Sequence, residues 1–280
     1  MGYWDTRARD LKISYQRFLA KDVLLKNPLV NLFFSMRIGN EFFLSRHMPI
    51  VAQKRRPITV LDIGCGWGQN IARLPQYTFY GVDIAGFPKE FALQKGYKQA
   101  REYGDSLTIP YDASSFDIAL MVNLTAHVPD EVLSHLLGEA KRLLKPEGIL
   151  LVAAECDNEG WSKKTMRRIS RKRLQLLIQG MDHKNYKFEE QLDRFFASNG
   201  FDIKRKDTIM GHFLPFIHYW SFAFLNSPYK KLRYVSIAAD IILSIVDNIA
   251  TWITSPMRGK RFIIGYVCTI STRMQGASGI

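Results

Sequence analysis

The chain predicts a doubly wound α/β sheet, and three observations carry that reading. The first is the run Val60-Leu61-Asp62-Ile63-Gly64-Cys65-Gly66-Trp67-Gly68, an apolar strand that ends in a glycine-rich turn. The second is Asp83, which stands 19 residues after the first glycine and closes another apolar run, Phe79-Tyr80-Gly81-Val82. The third is the alternation that follows, in which short apolar runs are separated by helix-period stretches, the pattern of a parallel sheet with right-handed crossovers. A glycine turn with an acid at the tip of the next strand is a site for a nucleotide-type ligand. Glycines let the backbone approach the ligand, and the acid accepts from ribose hydroxyls.

The elements follow in order. Residues 3–26 and 29–52 read as two helices, with Pro28 suited to a first helical position. Gln53 to Pro57 links them to the first strand, about 58–63. A helix over about 68–74, a strand over 78–82, a helix over 87–96 and a short strand over 98–102 come next. The fourth strand is expected at 116–121. The helix 130–144 has the clearest pattern: Asp130 is placed to cap it, and Val132, Leu133, Leu136, Leu137, Ala140, Leu143 and Leu144 form one stripe. Lys141, Arg142 and Lys145 suit the helix dipole at its end, and Pro146-Glu147-Gly148 is expected to stop it. Ile149 to Ala154 is continuously apolar, as a central parallel strand should be. A basic insertion spans 157–185. A helix over 186–199 then turns Phe188, Leu192, Phe195 and Phe196 inward and ends at Asn199-Gly200. Phe201 to Ile209 is a sixth strand, 211–260 a second, aromatic and apolar insertion, and Arg261 to Ser271 a last strand. The tail 272–280 is expected to be disordered.

Composition narrows the class. The length of 280 residues suits one large domain with additions, and 47% apolar residues suffice for a core. Cys65, Cys156 and Cys268 are scattered, with no CxxC or Cys/His cluster, so no disulfide framework and no metal site are indicated and a reduced, cytosolic protein is expected. Charges within residues 1–20 break any apolar leader. No apolar run reaches the ~18–20 residues of a spanning helix, because Val235 to Ile253 carries Asp240, Asp247 and Asn248. The net charge of +13 points to an anionic partner, and it is concentrated in residues 162–173, which hold seven Lys and Arg and no acid.

The glycine spacing separates cofactor classes. Dinucleotide folds favour G-x-G-x-x-G, which seats a pyrophosphate on a helix N-terminus. Here the spacing is G-x-G-x-G, with Asp62 two residues before the first glycine. This resembles motif I of the class I S-adenosylmethionine-dependent methyltransferases. Tyr103 to Leu107, Ile109-Pro110-Tyr111, Ser115 to Leu120, Asn123 to Asp130 and Ala140 to Gly148 resemble the later motifs of the ubiquinone/menaquinone-biosynthesis type (methyltransferase type 11), in order and at similar spacing. The resemblance covers about residues 58–155. It implies a Rossmann-like seven-stranded sheet of order 3-2-1-4-5-7-6 with the last strand antiparallel, built from residues 53–271. It also implies a helical cover over the cofactor cleft from residues 1–52, and S-adenosylmethionine as cofactor.

Resemblance and chemistry together assign roles. Gly64, Cys65 and Gly66 should pass beside the methionine part of the cofactor, and Asp62 should face its amino group, directly or through water. Asp83 should bind both ribose hydroxyls, Asp105 should accept from the adenine amino group, and Ser106 should offer it a backbone N–H. Asn123 should lie near the sulfonium. The protein's task is then to align a nucleophile with the S–methyl bond, with a base only where a proton must leave. His127, in the loop after strand four, is the base candidate, and its alternative is a structural histidine before Pro129. His212 and His218 lie in or beside the aromatic insertion, and His47 in the cover could also reach the cleft; His135 and His183 look like surface residues.

The insertions bear on the acceptor. Phe213, Phe216, Tyr219, Trp220, Phe222 and Phe224 crowd one stretch, and the sequence from Val235 to Ile253 is amphipathic with basic flanks. This fits either a lid over the sheet or an interfacial helix on anionic lipid. RNA binding calls for basic residues interleaved with aromatics, which is not the pattern here. The segment Asn123-Leu124-Thr125-Ala126 also lacks the Asn/Asp-Pro-Pro-aromatic signature of base-amino methylation. The leading expectation is methyl transfer to a small or lipid-like acceptor, isoprenoid or lipid-linked compounds included, in the cytoplasm or at the inner membrane face. A tRNA methyltransferase using the basic patch and a non-catalytic cofactor-binding protein stay open behind it. The oligomeric state is not legible.

Overall fold

The computed structural model describes residues 43–44, 46–48, 57–66, 68, 70, 77–83, 89–103, 108–156, 185–210 and 263–272. Seven strands run through them: β1 (Ile58–Ile63), β2 (Tyr77–Asp83), β3 (Gln99–Glu102), β4 (Phe116–Val122), β5 (Leu144–Glu155), β6 (Phe201–Met210) and β7 (Ile263–Ile270). Three helices are interposed: α1 (Lys89–Gln94), α2 (Asp130–Leu143) and α3 (Glu189–Ser198). The strands form one sheet of order β3-β2-β1-β4-β5-β7-β6, as expected. The first five are parallel, and β7 lies antiparallel between β5 and β6.

The sheet is buried on both faces, which is why β1, β4 and β5 are nearly continuous in apolar residues. One face packs Leu61, Ile63, Ala119, Met121, Leu150 and Val152 under α2 and α3. The other packs Val60, Ile118, Leu120, Leu151 and Ala153 with Phe43, Leu44 and Met48, three residues of a helical segment within 43–48. That segment sits on β7 closely enough that a Cβ on Gly265 would stand 2.5 Å from the Phe43 ring.

Three local expectations are corrected. Asp130 does not cap α2: the N-cap is Pro129, with no side-chain bond, and Asp130 instead accepts from Lys187 and Asn185. Pro146-Glu147-Gly148 does not stop the helix. Leu144 already takes an extended conformation and pairs with Phe116, and the pairing resumes at Ile118 with Ile149, so the intervening residues form an irregularity inside β5. Phe188 is 45% exposed rather than inward, because α3 begins after it and only Leu192 and Phe196 reach full burial. Lys141 and Arg142 stand in the last turn of α2 as expected, and Arg142 and Lys145 have specific partners as well. Arg142 forks onto Glu139 at 2.7 Å through two nitrogens and donates to the carbonyls of Ile109 and Tyr111. Lys145 reaches the buried Asp117 at 2.8 Å, which also accepts from the backbone N–H and hydroxyl of Thr59. The Asp117 network ties β1, β4 and β5 together at the end of the sheet away from the glycine turn.

Of the helix expected at 68–74 only Gly68 and Asn70 are described, and both lie in turns, Gly68 with a left-handed φ of 69°. The first helix of the cover, the insertions apart from Asn185, and the tail beyond residue 272 lie outside the described residues.

Candidate functional site

Ligands of open α/β sheets bind beyond the carboxyl ends of the strands, where neighbouring connections diverge. Here β1 ends at Ile63 and the chain turns at once toward β2: the N–H groups of Gly64 and Cys65 both donate to the Val82 carbonyl, at 2.8 and 3.0 Å. Gly64, Gly66 and Gly68 have φ of 75°, 48° and 69°, in the left-handed region that only glycine occupies without strain. Their surroundings differ. A Cβ on Gly64 would meet the Leu124 side chain at 3.0 Å, and one on Gly68 would meet the Ala92 backbone and the Tyr97 ring, both at 2.9 Å. Among the described residues, a Cβ on Gly66 would meet nothing within 4 Å. Gly66 is therefore the glycine that borders open space, and its N–H donates to Asp83 Oδ2 at 2.9 Å. The acid at the β2 tip thus shapes the turn as well as facing it.

Asp62 lies below the turn with no solvent exposure. Its carboxylate accepts from the Tyr97 hydroxyl at 2.5 Å and from Asn70 Nδ2 at 3.2 and 3.0 Å. Burial raises this carboxyl to about 6, against the pull of the Tyr97 and Asn70 bonds, and nearby Asp83 adds to the rise. The side chain of Cys65 points into the core against Gly81, and burial pushes its thiol far above the ordinary range. Only the backbone of Cys65 belongs to the turn.

Beyond β4, Asn123 has φ of 53° and donates its N–H to the Ala153 carbonyl at 2.9 Å. Asparagine is among the few residues that tolerate this conformation. Its buried Oδ1 has no hydrogen-bond partner among the described residues. The loop continues through Leu124, which covers Gly64, to the half-buried His127, whose N–H bonds the Leu124 carbonyl. Asn185 pins this loop through the carbonyls of Ala126 and Val128, and Lys187 bonds Asn185 and Asp130 from a buried position.

The structure thus brings Asp62, Gly64, Cys65, Gly66, Asp83 and Asn123 to one end of the sheet, with His127 in the adjoining loop. His47 is elsewhere: it is buried and its Nε2 lies 2.5 Å from Asp207 on the edge strand β6. Asp105, Ser106, His212 and His218 lie outside the described residues. Sequence reading missed Asn70, Tyr97 and Leu124. Nothing in the local pattern ties Tyr97, 35 residues on, to Asp62; the one available signal was the pair of glycines, Gly68 and Gly81, that admit its ring.

These features suit S-adenosylmethionine. An open cradle at Gly66 admits a ligand against the backbone, and the buried Asn123 carbonyl oxygen calls for a donor. Among the described residues the partners of Asp62, Asn70 and Tyr97, are both neutral, so its charge favours a ligand with a sulfonium and an ammonium and opposes a pyrophosphate.

Comparisons with known proteins agree. Residues 61–152 match the family model described as "Methyltransferase domain". The 27-O-demethylrifamycin SV methyltransferase of Amycolatopsis mediterranei is 32% identical over 32% of this chain and 36% of its own length. The sterol 24-C-methyltransferase of Pneumocystis carinii is 30% identical over 41% of this chain and 32% of its own. The chain therefore spans about a third of the length of these curated relatives. Among solved structures, the fold is shared with geranyl diphosphate C-methyltransferase of Streptomyces coelicolor A3(2) (TM-score 0.53, 16% identity, 81% of this chain and 77% of that one). It is also shared with a cyclopropane synthase of Mycobacterium tuberculosis (TM-score 0.51, 14% identity, 80% and 83%). The glycine turn, the two strand-tip acids, the sheet order and the family match together make residues 61–152 a class I S-adenosylmethionine-dependent methyltransferase domain.

Proposed function

We propose that this protein transfers the methyl group of S-adenosylmethionine to a small or lipid-like acceptor. The observation that carries the proposal is the cradle at Gly66, open among the described residues, held by Asp83 and bordered at the β4 tip by an asparagine whose buried oxygen has no partner among them. When bound, the cofactor supplies an electrophilic methyl on a sulfonium leaving group. Asp83 would hold the ribose, the glycine turn would pass beside the methionine part, and Asn123 would lie toward the reacting sulfonium. The loop from Leu124 to Asp130, tied down by Asn185 and Lys187, keeps water out and presents His127 to the acceptor. Where the acceptor atom must lose a proton, His127 takes it.

The two curated relatives, a sterol 24-C-methyltransferase and a 27-O-demethylrifamycin SV methyltransferase, support a bulky apolar acceptor. So does the aromatic and amphipathic sequence of residues 211–260. The basic run at 162–173 supports work at an anionic surface, here the inner face of a membrane. No described helix is long and apolar enough to cross a bilayer.

The test is calorimetric titration with S-adenosylhomocysteine and, separately, NADH, followed by label transfer from methyl-labelled cofactor into lipid extracts. Micromolar binding of the first ligand alone and label in an extractable lipid are expected. Binding of NADH alone would overturn the cofactor. Flotation with anionic liposomes, run beside salt-dependent RNA binding, distinguishes the membrane reading from an RNA substrate.

A further inference from the structure

We propose that Tyr97 is a positioning residue of the cofactor site: through the carboxylate of Asp62, its hydroxyl fixes Asn70 and with it the two ends of the glycine turn. The inference rests on the reading above that this turn binds the cofactor. Asp62 precedes the first glycine by two residues, and Asn70 follows the third by two. One carboxylate therefore spans the G-x-G-x-G segment from beneath, with Asn70 Nδ2 at 3.2 and 3.0 Å from its oxygens. The second anchor of that carboxylate is the Tyr97 hydroxyl at 2.5 Å.

The hydroxyl is held by rigid structure. Tyr97 is 3% exposed; its N–H bonds the Ala92 carbonyl at the end of α1, and the next N–H, of Lys98, bonds the Phe79 carbonyl of β2. Its ring packs on Phe79 at 5.5 Å and fills the gap between two glycines: a Cβ on Gly68 would stand 2.9 Å from Cε2, and one on Gly81 would stand 3.1 Å from Cδ1. The third glycine of the motif thus serves Tyr97 and α1, whereas Gly66 borders the ligand space. A phenylalanine would fill the same gap but leave the buried carboxylate one donor short, which is costly for a charged acceptor.

Protonation makes the arrangement testable. Among the described residues, the titratable groups that act on Asp62 are Asp83 and, through their own shifts, Tyr97 and Cys65, and no cation is among them. An ionised Asp62 accepts from both Asn70 and Tyr97; a protonated one loses acceptor capacity and its grip on Asn70. Cofactor affinity should therefore fall as pH drops through about 6, where this carboxyl takes its proton. Loss of the Tyr97 bond, which lowers the carboxyl's pKa, should move that midpoint upward.

The experiment is calorimetric titration with S-adenosylhomocysteine from pH 5 to 9, on the wild type and Tyr97→Phe, with Lys145→Met as a destabilised control at the far end of the sheet. Tyr97→Phe should raise the midpoint by about one pH unit and weaken binding at pH 7 about tenfold, while Lys145→Met leaves both unchanged. An unchanged midpoint in Tyr97→Phe overturns the proposal, as does an equal shift in the control. Asp62→Asn gives a second route, because its binding should be flat across this range; a wild-type pH profile in that variant also overturns the proposal. A wild type that binds nothing at any pH removes the cofactor reading itself, and this inference with it.

Discussion

The three glycines of the turn should respond differently to the same substitution, because each is glycine for a different reason. Gly66→Ala introduces a left-handed alanine, at about 1–2 kcal/mol, into space where none of the described residues lies within 4 Å. Folding should lose about that much and no more. The new methyl, however, stands where the ligand approaches the backbone, and S-adenosylhomocysteine affinity should fall at least tenfold, the equivalent of about 1.4 kcal/mol. Gly68→Ala carries the same backbone cost and also sets a methyl 2.9 Å from the Ala92 Cα and the Tyr97 ring, neither of which is a flexible side-chain end. Overpacking of this kind adds about 1–3 kcal/mol, so Gly68→Ala should lose about 2–5 kcal/mol in total. Urea denaturation and calorimetry on both variants read the two effects separately. If Gly66→Ala binds as tightly as the wild type, the ligand does not pass over Gly66 and the site is misassigned. If Gly68→Ala is the milder of the two in urea, the account of the third glycine is wrong.

Three further outcomes are expected. Asp83→Ala removes the acceptor for Gly66 N–H and the proposed ribose partner, so the titration signal with S-adenosylhomocysteine should disappear; retained affinity would mean that the acid serves only the turn. His127→Ala should cut methyl transfer while sparing cofactor affinity, and intact turnover in that variant would make His127 structural. Lys145→Met should destabilise the fold by about 1–3 kcal/mol, since it strips a partner from the 3% exposed Asp117. Burial disfavours the Asp117 charge, but the bonds from Lys145 and Thr59 outweigh it and hold its carboxyl below the ordinary range. That contribution is present above the unfolded pKa and is lost as pH falls through the lower folded one. The gap between variant and wild type in chemical denaturation should therefore close below about pH 4.

The fold was legible because its signals are periodic and local. Apolar runs ending at Ile63, Val82 and Val122, and the stripe of α2, arise from burial on two faces, and burial is written into residue type. Strand ends fell within a residue or two of the structure except at β5. There Pro146-Glu147-Gly148 looked like a stop, yet Leu144 pairs across to Phe116 because its side chain is needed in the core. Asp130 was misread for a related reason. Cap preference is a local rule, and a partner 57 positions away, Lys187, took the carboxylate instead. Phe188 was placed inward by a periodicity that begins one residue too early.

The site divides along the same line. Motif spacing located the backbone cradle and the strand-tip acids, since a glycine turn and the next strand's tip are fixed by sheet geometry. It did not reveal what holds them, because Tyr97 and Asn70 reach Asp62 through the interior, where sequence separation says nothing about distance. Two effects at Asp62 therefore oppose each other. Its carboxyl sits at about 6 in the folded protein against 3.8 for the free side chain, so burial of the charge costs stability above that range, on the order of 3 kcal/mol at most. Stability at this residue should thus rise as pH falls from about 6 toward 4. Over the same window the grip on Asn70, and cofactor affinity with it, should decline. An apo protein that becomes more resistant to urea while it loses affinity for S-adenosylhomocysteine would show that the charge is kept for the turn's geometry at a cost to the fold. If stability and affinity fall together, the ionised Asp62 is a structural asset, and the division between fold and site drawn at this residue is wrong.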